Sequence, residues 1–471
     1  MKEKLRLFRR AIVFSMKIFI VLVLTATFLY VLLNYYEEAS FFFNGYILYA
    51  SLYAAIYYIF GLNIGAFQIG WLRLRDIIFS HMITIFATNV IMYVVTSLIG
   101  EALLSFLPIL VLMVVQCLLV SLMVILSNKI YRLLYPARDT VIICSSDNED
   151  GDIIRKFSGN RAQYDVQCVC YENQGYDEIC EQLEQRSVVI LCDNIDNDLK
   201  LRVVAYCFEY NKRLIIMPTL QDIMLHNALQ AQVGDSLAYL CKNRGLSTEQ
   251  AAIKRSMDIL LSFVALLLSL PVTLVAGVAI KLHDGGPIFY RQERYTKDGK
   301  IFTLIKFRSM IIDAESESGA ILAQKDDVRI TKVGKLLRAT RIDEIPQLLN
   351  IIKGDMSIVG PRPERPELFE EICKEIPEFR YRLKTKAGLT GYAQVYGRYN
   401  TSFEDKVKMD LFYIENASVL LDIKIMLNTV KVIFMKESTE GVDKAAEPAS
   451  AKEKAPAAPY VHVPTDHSAI D

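Results

Sequence analysis

Four long apolar runs lie in the first 135 residues, and a chain that carries them can fold stably only where those runs are kept out of water. They cover residues 11–33, 47–69, 77–99 and 103–126. Each is near the roughly 20 residues that a helix needs to cross a bilayer. In lipid every backbone polar group must bond within its own segment, so the runs are expected to be helices packed as a bundle. Lys2, Lys4, Arg6, Arg9 and Arg10 precede the first run, Arg73 and Arg75 separate the second from the third, and Lys129, Arg132 and Arg138 follow the fourth. The other two connections hold Glu37, Glu38 and Glu101 and no Lys or Arg. Basic loops stay on the cytoplasmic side, which puts both ends of the bundle in the cytoplasm. Lys17 and His81 fall near the ends of runs, so no intramembrane relay or transport path is expected. The first run is too long for a cleavable signal peptide and lacks a small-residue cleavage site.

A fifth apolar run, 259–282, differs from the others. Lys254 and Arg255 precede it, Lys281, Arg291 and Arg294 follow, and Ser269 and Pro271 interrupt it. Length alone fits one more crossing. Two basic flanks, however, both prefer the cytoplasm, and an interior proline removes a helix hydrogen bond and bends the helix. A re-entrant helix over about 256–282, dipping into the inner leaflet and returning, satisfies both flanks.

Between the bundle and this run, β-branched segments at 141–144, 166–169, 188–192 and 214–217 alternate with helix-like stretches. That rhythm predicts a parallel α/β sheet. The first strand leads into Ser145–Gly151, where Asp147, Glu149 and Asp150 stand in place of a glycine-rich turn. A pyrophosphate would be repelled there, so dinucleotide binding is not expected and a structural or regulatory role is. The nine cysteines show none of the paired short spacings of a zinc site and are expected to be free thiols in the cytosol. Acidic and basic residues balance to a net charge of zero, so nothing global points to nucleic acid. From residue 437 the chain turns to Ala, Lys, Glu and Pro and is expected to be a disordered tail, with His462 and His467 incidental.

The chemistry-bearing residues lie after the fifth run. Lys306 and Arg308 alternate with Phe307 in a strand-like stretch, which puts the two cations on one face, and Asp313 and Glu315 follow. Asp343 and Glu344 come just before a short helix that starts at Pro346 and closes at Gly354. Capping alone would explain an isolated acid pair there. Arg338, Arg341, Arg362 and Arg365 shift the reading, because guanidinium groups and a helix N-terminus both collect phosphate. Carboxylates among those cations are expected to stay ionised at neutral pH, as a nucleophile or magnesium ligand requires.

The order Lys306-Phe-Arg-Ser-Met310, Asp313-Ala-Glu315, Arg338, Asp343-Glu-Ile-Pro-Gln347, Lys353-Gly-Asp-Met-Ser357, Gly360-Pro-Arg-Pro363 and Gly388-Leu-Thr-Gly-Tyr-Ala-Gln394 resembles the bacterial polyprenyl-phosphate sugar-1-phosphate transferases. These form the monotopic phosphoglycosyl transferase superfamily, and the chain is similar to its long form. The resemblance implies a membrane α-helical bundle (1–135), an α/β Rossmann-like domain (136–249) and an α/β, mostly helical catalytic domain with the re-entrant helix (250–436), followed by the tail (437–471). It implies that Asp343 is a nucleophile attacking the sugar-bearing phosphorus of a UDP-sugar, with UMP leaving and polyprenyl phosphate as acceptor. Glu344 is implied as the second acid, magnesium as a cofactor held through Asp343, and Arg338 and Arg362 as phosphate contacts. Lys306, Arg308 and Arg341 complete the expected substrate-binding set, and Ser269 and Pro271 mark the membrane bend, with Leu270 between them where some relatives have Ser-Pro directly. The expected setting is the bacterial inner membrane with catalysis on its cytoplasmic face. Undecaprenyl phosphate, a UDP-sugar and membrane lipid are the expected partners, and the bundle offers a surface for a homodimer. Sugar specificity is assigned to the stretch 316–325. A sugar-only glycosyltransferase releasing UDP and a non-catalytic scaffold for polysaccharide assembly are the alternatives.

Overall fold

The computed structural model describes residues 8–36, 44–145, 147–160, 163–226, 228–241, 245–312, 327, 329–397 and 401–433. Asp313, Glu315, the 316–325 stretch and the tail therefore lie outside the described residues.

The first four runs form helices α1 (Arg9–Tyr35), α2 (Gly45–Ile64), α3 (Leu74–Ile99) and α4 (Leu107–Leu134), all long and apolar enough to cross a membrane. Their packing is that of a protein in lipid. Leu22, Leu118 and Leu122 point outward and are exposed, while Gln116, Asn89 and His81 are fully buried. Gln116 donates to the Leu24 carbonyl at 3.0 Å and accepts from Asn89 at 2.7 Å, and Tyr53 stacks on Phe28. Polar side chains that bond between helices hold a bundle that hydrophobic burial alone cannot. His81, near the start of its run, turns into this core, with Nδ1 2.6 Å from the Tyr57 hydroxyl. Two helix ends also differ from expectation. Gly65, at φ +83°, closes α2 five residues early, and Pro108 sets the start of α4, which then runs on through Ser127 and Asn128.

The next unit is the expected parallel α/β layer. Strands β1 (Arg138–Cys144), β2 (Tyr164–Tyr171), β3 (Val188–Leu191) and β4 (Arg213–Ile216) pair all-parallel in the order β2-β1-β3-β4. Helices α5 (Asp147–Ser158), α6 (Tyr176–Gln185) and α7 (Asn197–Glu209) make the crossovers. Residues 141–144 and β3 are fully buried, as strands covered on both faces must be. Helix α8 (Leu220–His226) leads into a hairpin, β5 (Leu229–Val233) and β6 (Ser236–Leu240), turning at Gly234.

Helix α9 (Thr248–Asp284) runs 37 residues, from a Ser247–Gln250 capping box to Gly285, and continues through Pro271. The Ser269 hydroxyl donates to the Leu266 carbonyl. Both ends of α9 rest on the same globular body. Lys254 donates to the Val359 carbonyl at 3.0 Å and to Asp422 at 2.6 Å, and Asp258 accepts from the Ile358 amide. Near the other end Ala276 and Ile280 pack against Phe307 and Leu337. Between them Leu267, Leu268, Leu274 and Val275 are exposed.

That body comprises the antiparallel pair β7 (Phe289–Tyr295) and β8 (Ile301–Phe307), helices α10 (Lys332–Ala339) and α11 (Gln347–Lys353), and the parallel pair β9 (Ser357–Val359) and β10 (Gly388–Thr390). Helices α12 (Pro366–Glu375), α13 (Tyr392–Tyr396), α14 (Phe403–Glu415) and α15 (Val419–Ile433) complete it. Sequence periodicity puts Ile423, Met426, Leu427, Val430, Ile433 and Phe434 on one apolar face, with Lys424 and Lys431 off it, a face suited either to the membrane surface or to the protein's own core. The structure buries Asp422, Ile425, Asn428 and Lys431 and leaves Ile423, Val430 and Ile433 exposed. Asp422 meets Lys254, and Lys431 donates to Ser80 of the bundle at 3.1 Å, so polar partners decide which face turns inward.

Candidate active site

The β7–β8 register places Lys306 opposite Tyr290, with its ammonium 5.0 Å from the ring centre. Tyr290, Gln292 and Arg294 alternate along β7 and so share one face. Asn350 of α11 ties this sheet to the acid block: its amide donates to the Thr303 carbonyl and its carbonyl accepts from the Ile305 amide. Between α10 and α11 the chain turns at Arg341, a non-glycine residue at φ +59°, and then makes a short 3-10 turn, Ile342–Glu344. A side chain in the left-handed region is strained, and surrounding structure must hold it there. Gly334 lets α10 approach closely enough, since a Cβ there would collide with the Ser309 carbonyl. Arg338 then donates to the Ser309 hydroxyl at 2.8 Å.

Asp343 is buried, and its Oδ1 has no hydrogen-bond partner among the described residues. No side chain caps either the 3-10 turn or α11, so the pair does not serve as a helix cap. Burial, reinforced by Glu344, pushes the Asp343 carboxyl up to about 6, against the pull of Lys306, Arg338 and Arg341. Desolvation outweighs the surrounding cations. The group is still mainly ionised at neutral pH. Burial and neighbouring arginines bring Lys306 down to about 8, and burial brings Arg294 down to about 10. Glu344 behaves oppositely to Asp343. Burial would raise it, but Arg362, 3.1 Å away, and Arg341 hold it below its usual range. Arg382 braces that loop by donating to the Arg362 carbonyl at 3.0 Å while pairing with buried Asp410 at 2.7 Å.

Residues 249–436 match the family described as bacterial sugar transferase. A putative undecaprenyl-phosphate N-acetylgalactosaminyl 1-phosphate transferase of Bacillus subtilis is 54% identical over 132 residues, covering 28% of this chain and 73% of that protein. The chain belongs to the bacterial sugar transferase family. It is also similar to the UDP-N-acetylgalactosamine-undecaprenyl-phosphate N-acetylgalactosaminephosphotransferase of Aeromonas hydrophila (42% identity over 39% of this chain and 44% of that protein). The UDP-glucose:undecaprenyl-phosphate glucose-1-phosphate transferase of Escherichia coli K12 is 41% identical, over 46% and 47% of the two chains. The match thus spans less than half the length of these last two relatives.

Within this sugar transferase segment the structure groups Asp343, Glu344, Lys306, Arg338 and Arg341 electrostatically, with Arg362 on Glu344. Arg308 lies just past β8 and is buried in an ion pair with Asp284 at the end of α9, against Gly286. Ser269 and Pro271 lie in the apolar stretch of α9. Sequence reasoning missed Asp284, Arg294 and Arg382. The alternation of Tyr290, Gln292 and Arg294 was the available signal for the second, whereas the partners of Asp284 and Arg382 come from 24 and 28 residues away. The Asp343 carboxylate could hold magnesium through one of its two oxygens: a hard cation takes one or two carboxylate oxygens and completes its shell with water and phosphate oxygens, which leaves the other oxygen of Asp343 for different chemistry.

Proposed function

We propose that the chain transfers a sugar-1-phosphate from a UDP-sugar to undecaprenyl phosphate, releasing UMP and starting a lipid-linked exopolysaccharide or capsule glycan. The observation that carries this reading is the buried, unpartnered Oδ1 of Asp343 among Lys306, Arg338 and Arg341. In the first half-reaction that oxygen attacks the sugar-bearing phosphorus, and the bond from this phosphorus to the UMP oxygen breaks, leaving an acyl phosphate. In the second, a lipid phosphate oxygen attacks the same phosphorus and the carboxylate leaves. Splitting the transfer in this way is covalent catalysis. Lys306, Arg338 and Arg341 stabilise the phosphoryl oxygens, and the Arg362–Glu344 pair holds the dyad in place. Asp343 would hold a magnesium ion, and that ion would supply charge neutralisation for the diphosphate.

The lipid phosphate reaches this site from the membrane surface. If straight, α9 would be about 55 Å long, well beyond the hydrocarbon core. Yet Lys254 and Asp258 near one end, and Ala276 and Ile280 near the other, all rest on one body. A crossing helix would deliver these residues to opposite sides. Their common contact supports a helix that enters and leaves the cytoplasmic leaflet, with Leu267, Leu268 and Leu274 in lipid and the site at the interface.

The test is nucleotide release by purified protein given magnesium, undecaprenyl phosphate and a panel of UDP-sugars. UMP release with one donor, absent in Asp343→Asn, is expected; UDP release would mean sugar-only transfer and overturn the reading.

A further inference from the structure

Seven of the nine cysteines fall between residues 136 and 249, and the parallel sheet brings two of them together. Cys144 ends β1, and Cys192 follows β3 directly, its amide donating to the Ile143 carbonyl at 3.0 Å. Forty-eight residues separate them in sequence, yet their Sγ atoms are 3.5 Å apart and fully buried. The carboxylate of Asp150, also buried, completes a group whose ligand atoms all lie within 4.8 Å of one another. We propose that Cys144, Cys192 and Asp150 form a binding site for a borderline-soft divalent cation of the zinc class, separate from the catalytic carboxylates.

Three independent observations converge on this site. The first is spacing. Two thiolates on one tetrahedral zinc, at about 2.3 Å each, stand about 3.8 Å apart, close to the observed separation and far from the roughly 2 Å of a disulfide. The second is charge. Asp150 accepts from the Ser145 amide at 2.9 Å and from its hydroxyl at 3.2 Å, but has no Lys, Arg or His partner among the described residues. A buried carboxylate is costly without a cation. The third is position. In the order β2-β1-β3-β4 the connections diverge between β1 and β3, and α/β sheets bind ligands at the carboxyl ends of strands at such a point. Binding displaces both thiol protons, so affinity should climb by up to about 100-fold per pH unit below the thiol range. The next residue, Asp193, pairs with Lys408 of α14, which anchors this end of the sheet to the sugar transferase body.

The test uses the full chain in detergent, reduced and metal-free, titrated with cobalt(II). One equivalent should bind with a thiolate-to-cobalt charge-transfer band that zinc abolishes. Cys144→Ala and Cys192→Ala should lose the band, Cys168→Ala should keep it, and Asp150→Asn should bind at least tenfold more weakly. Absence of the band, or its persistence in both alanine variants, overturns the proposal. Zinc-edge X-ray absorption on Cys168→Ala, which lacks the Cys168–Cys170 sulfur pair, tests the site even where Cys144→Ala or Cys192→Ala does not fold. A first shell with two sulfurs supports the site, and one of nitrogen and oxygen alone overturns it.

Discussion

Asp343 carries a cost that its proposed role as nucleophile explains. An ordinary aspartate ionises near 3.8, and this one near 6. Because the folded value lies above the unfolded one, the fold favours the protonated form. Ionisation therefore subtracts stability, beginning above the unfolded value and in full above the folded one. That difference corresponds to about 3 kcal/mol. Asp343→Asn should accordingly raise the unfolding temperature at neutral pH, lose that advantage below about pH 4, and abolish transfer; a destabilised variant would contradict the assignment. Activity should rise through about pH 6 as Asp343 ionises and fall above about pH 8 as Lys306 loses its proton, which a pH–rate profile reads directly. At this scale the acid pair was legible in the sequence because two carboxylates amid arginines stand out within 25 residues. The sign of the Asp343 shift was not, because desolvation depends on which distant segments cover the group. The same blindness hid Cys144 and Cys192, whose proximity exists only once β1 and β3 pair.

Among the elements, the approach of α10 to Ser309 and the docking of α9 govern whether those residues meet. Gly334→Ala places a methyl against the Ser309 carbonyl and should break the Arg338–Ser309 bond. Misplacement of catalytic groups by about an ångström lowers turnover on the order of 10²-fold, so kcat should fall far more than bundle stability. Lys254, Asp422 and the Tyr413 hydroxyl form a buried polar cluster that holds the first turns of α9. Removing one partner leaves a buried charge, and Lys254→Ala should cost about 3–5 kcal/mol in thermal or denaturant unfolding. Lys254→Met combined with Asp422→Leu should recover much of that loss. The elements themselves were largely readable: long apolar runs gave helices, and β-branched runs gave a parallel sheet. Their ends and inward faces were not. Gly65 turns the chain inside an apolar run, and α15 buries Lys431 because Ser80 of another element waits for it.

For the whole molecule, the five apolar helices among the described residues and one chemical body must share a surface. Lys431 on Ser80, Lys408 on Asp193 and Lys156 on Asp405 join the sugar transferase body to the bundle and the parallel sheet. If α9 re-enters, residues on both of its flanks face the cytoplasm. A protease site placed at the exposed Lys297–Gly299 turn should then be cut in inverted membrane vesicles and spared in right-side-out ones; the reverse would make α9 a fifth crossing. The division into membrane and chemical parts was legible because lipid imposes long apolar runs, whereas the contacts joining the parts depend on single side chains. The central claim is a covalent phosphosugar on Asp343, and it is tested most directly by mass spectrometry of protein quenched after exposure to magnesium and the UDP-sugar without lipid acceptor. The account predicts one equivalent of UMP and a hexose-phosphate mass on the peptide containing Asp343, discharged when undecaprenyl phosphate is added. UMP formed only when both substrates are present, with no adduct at any quench time, would contradict it.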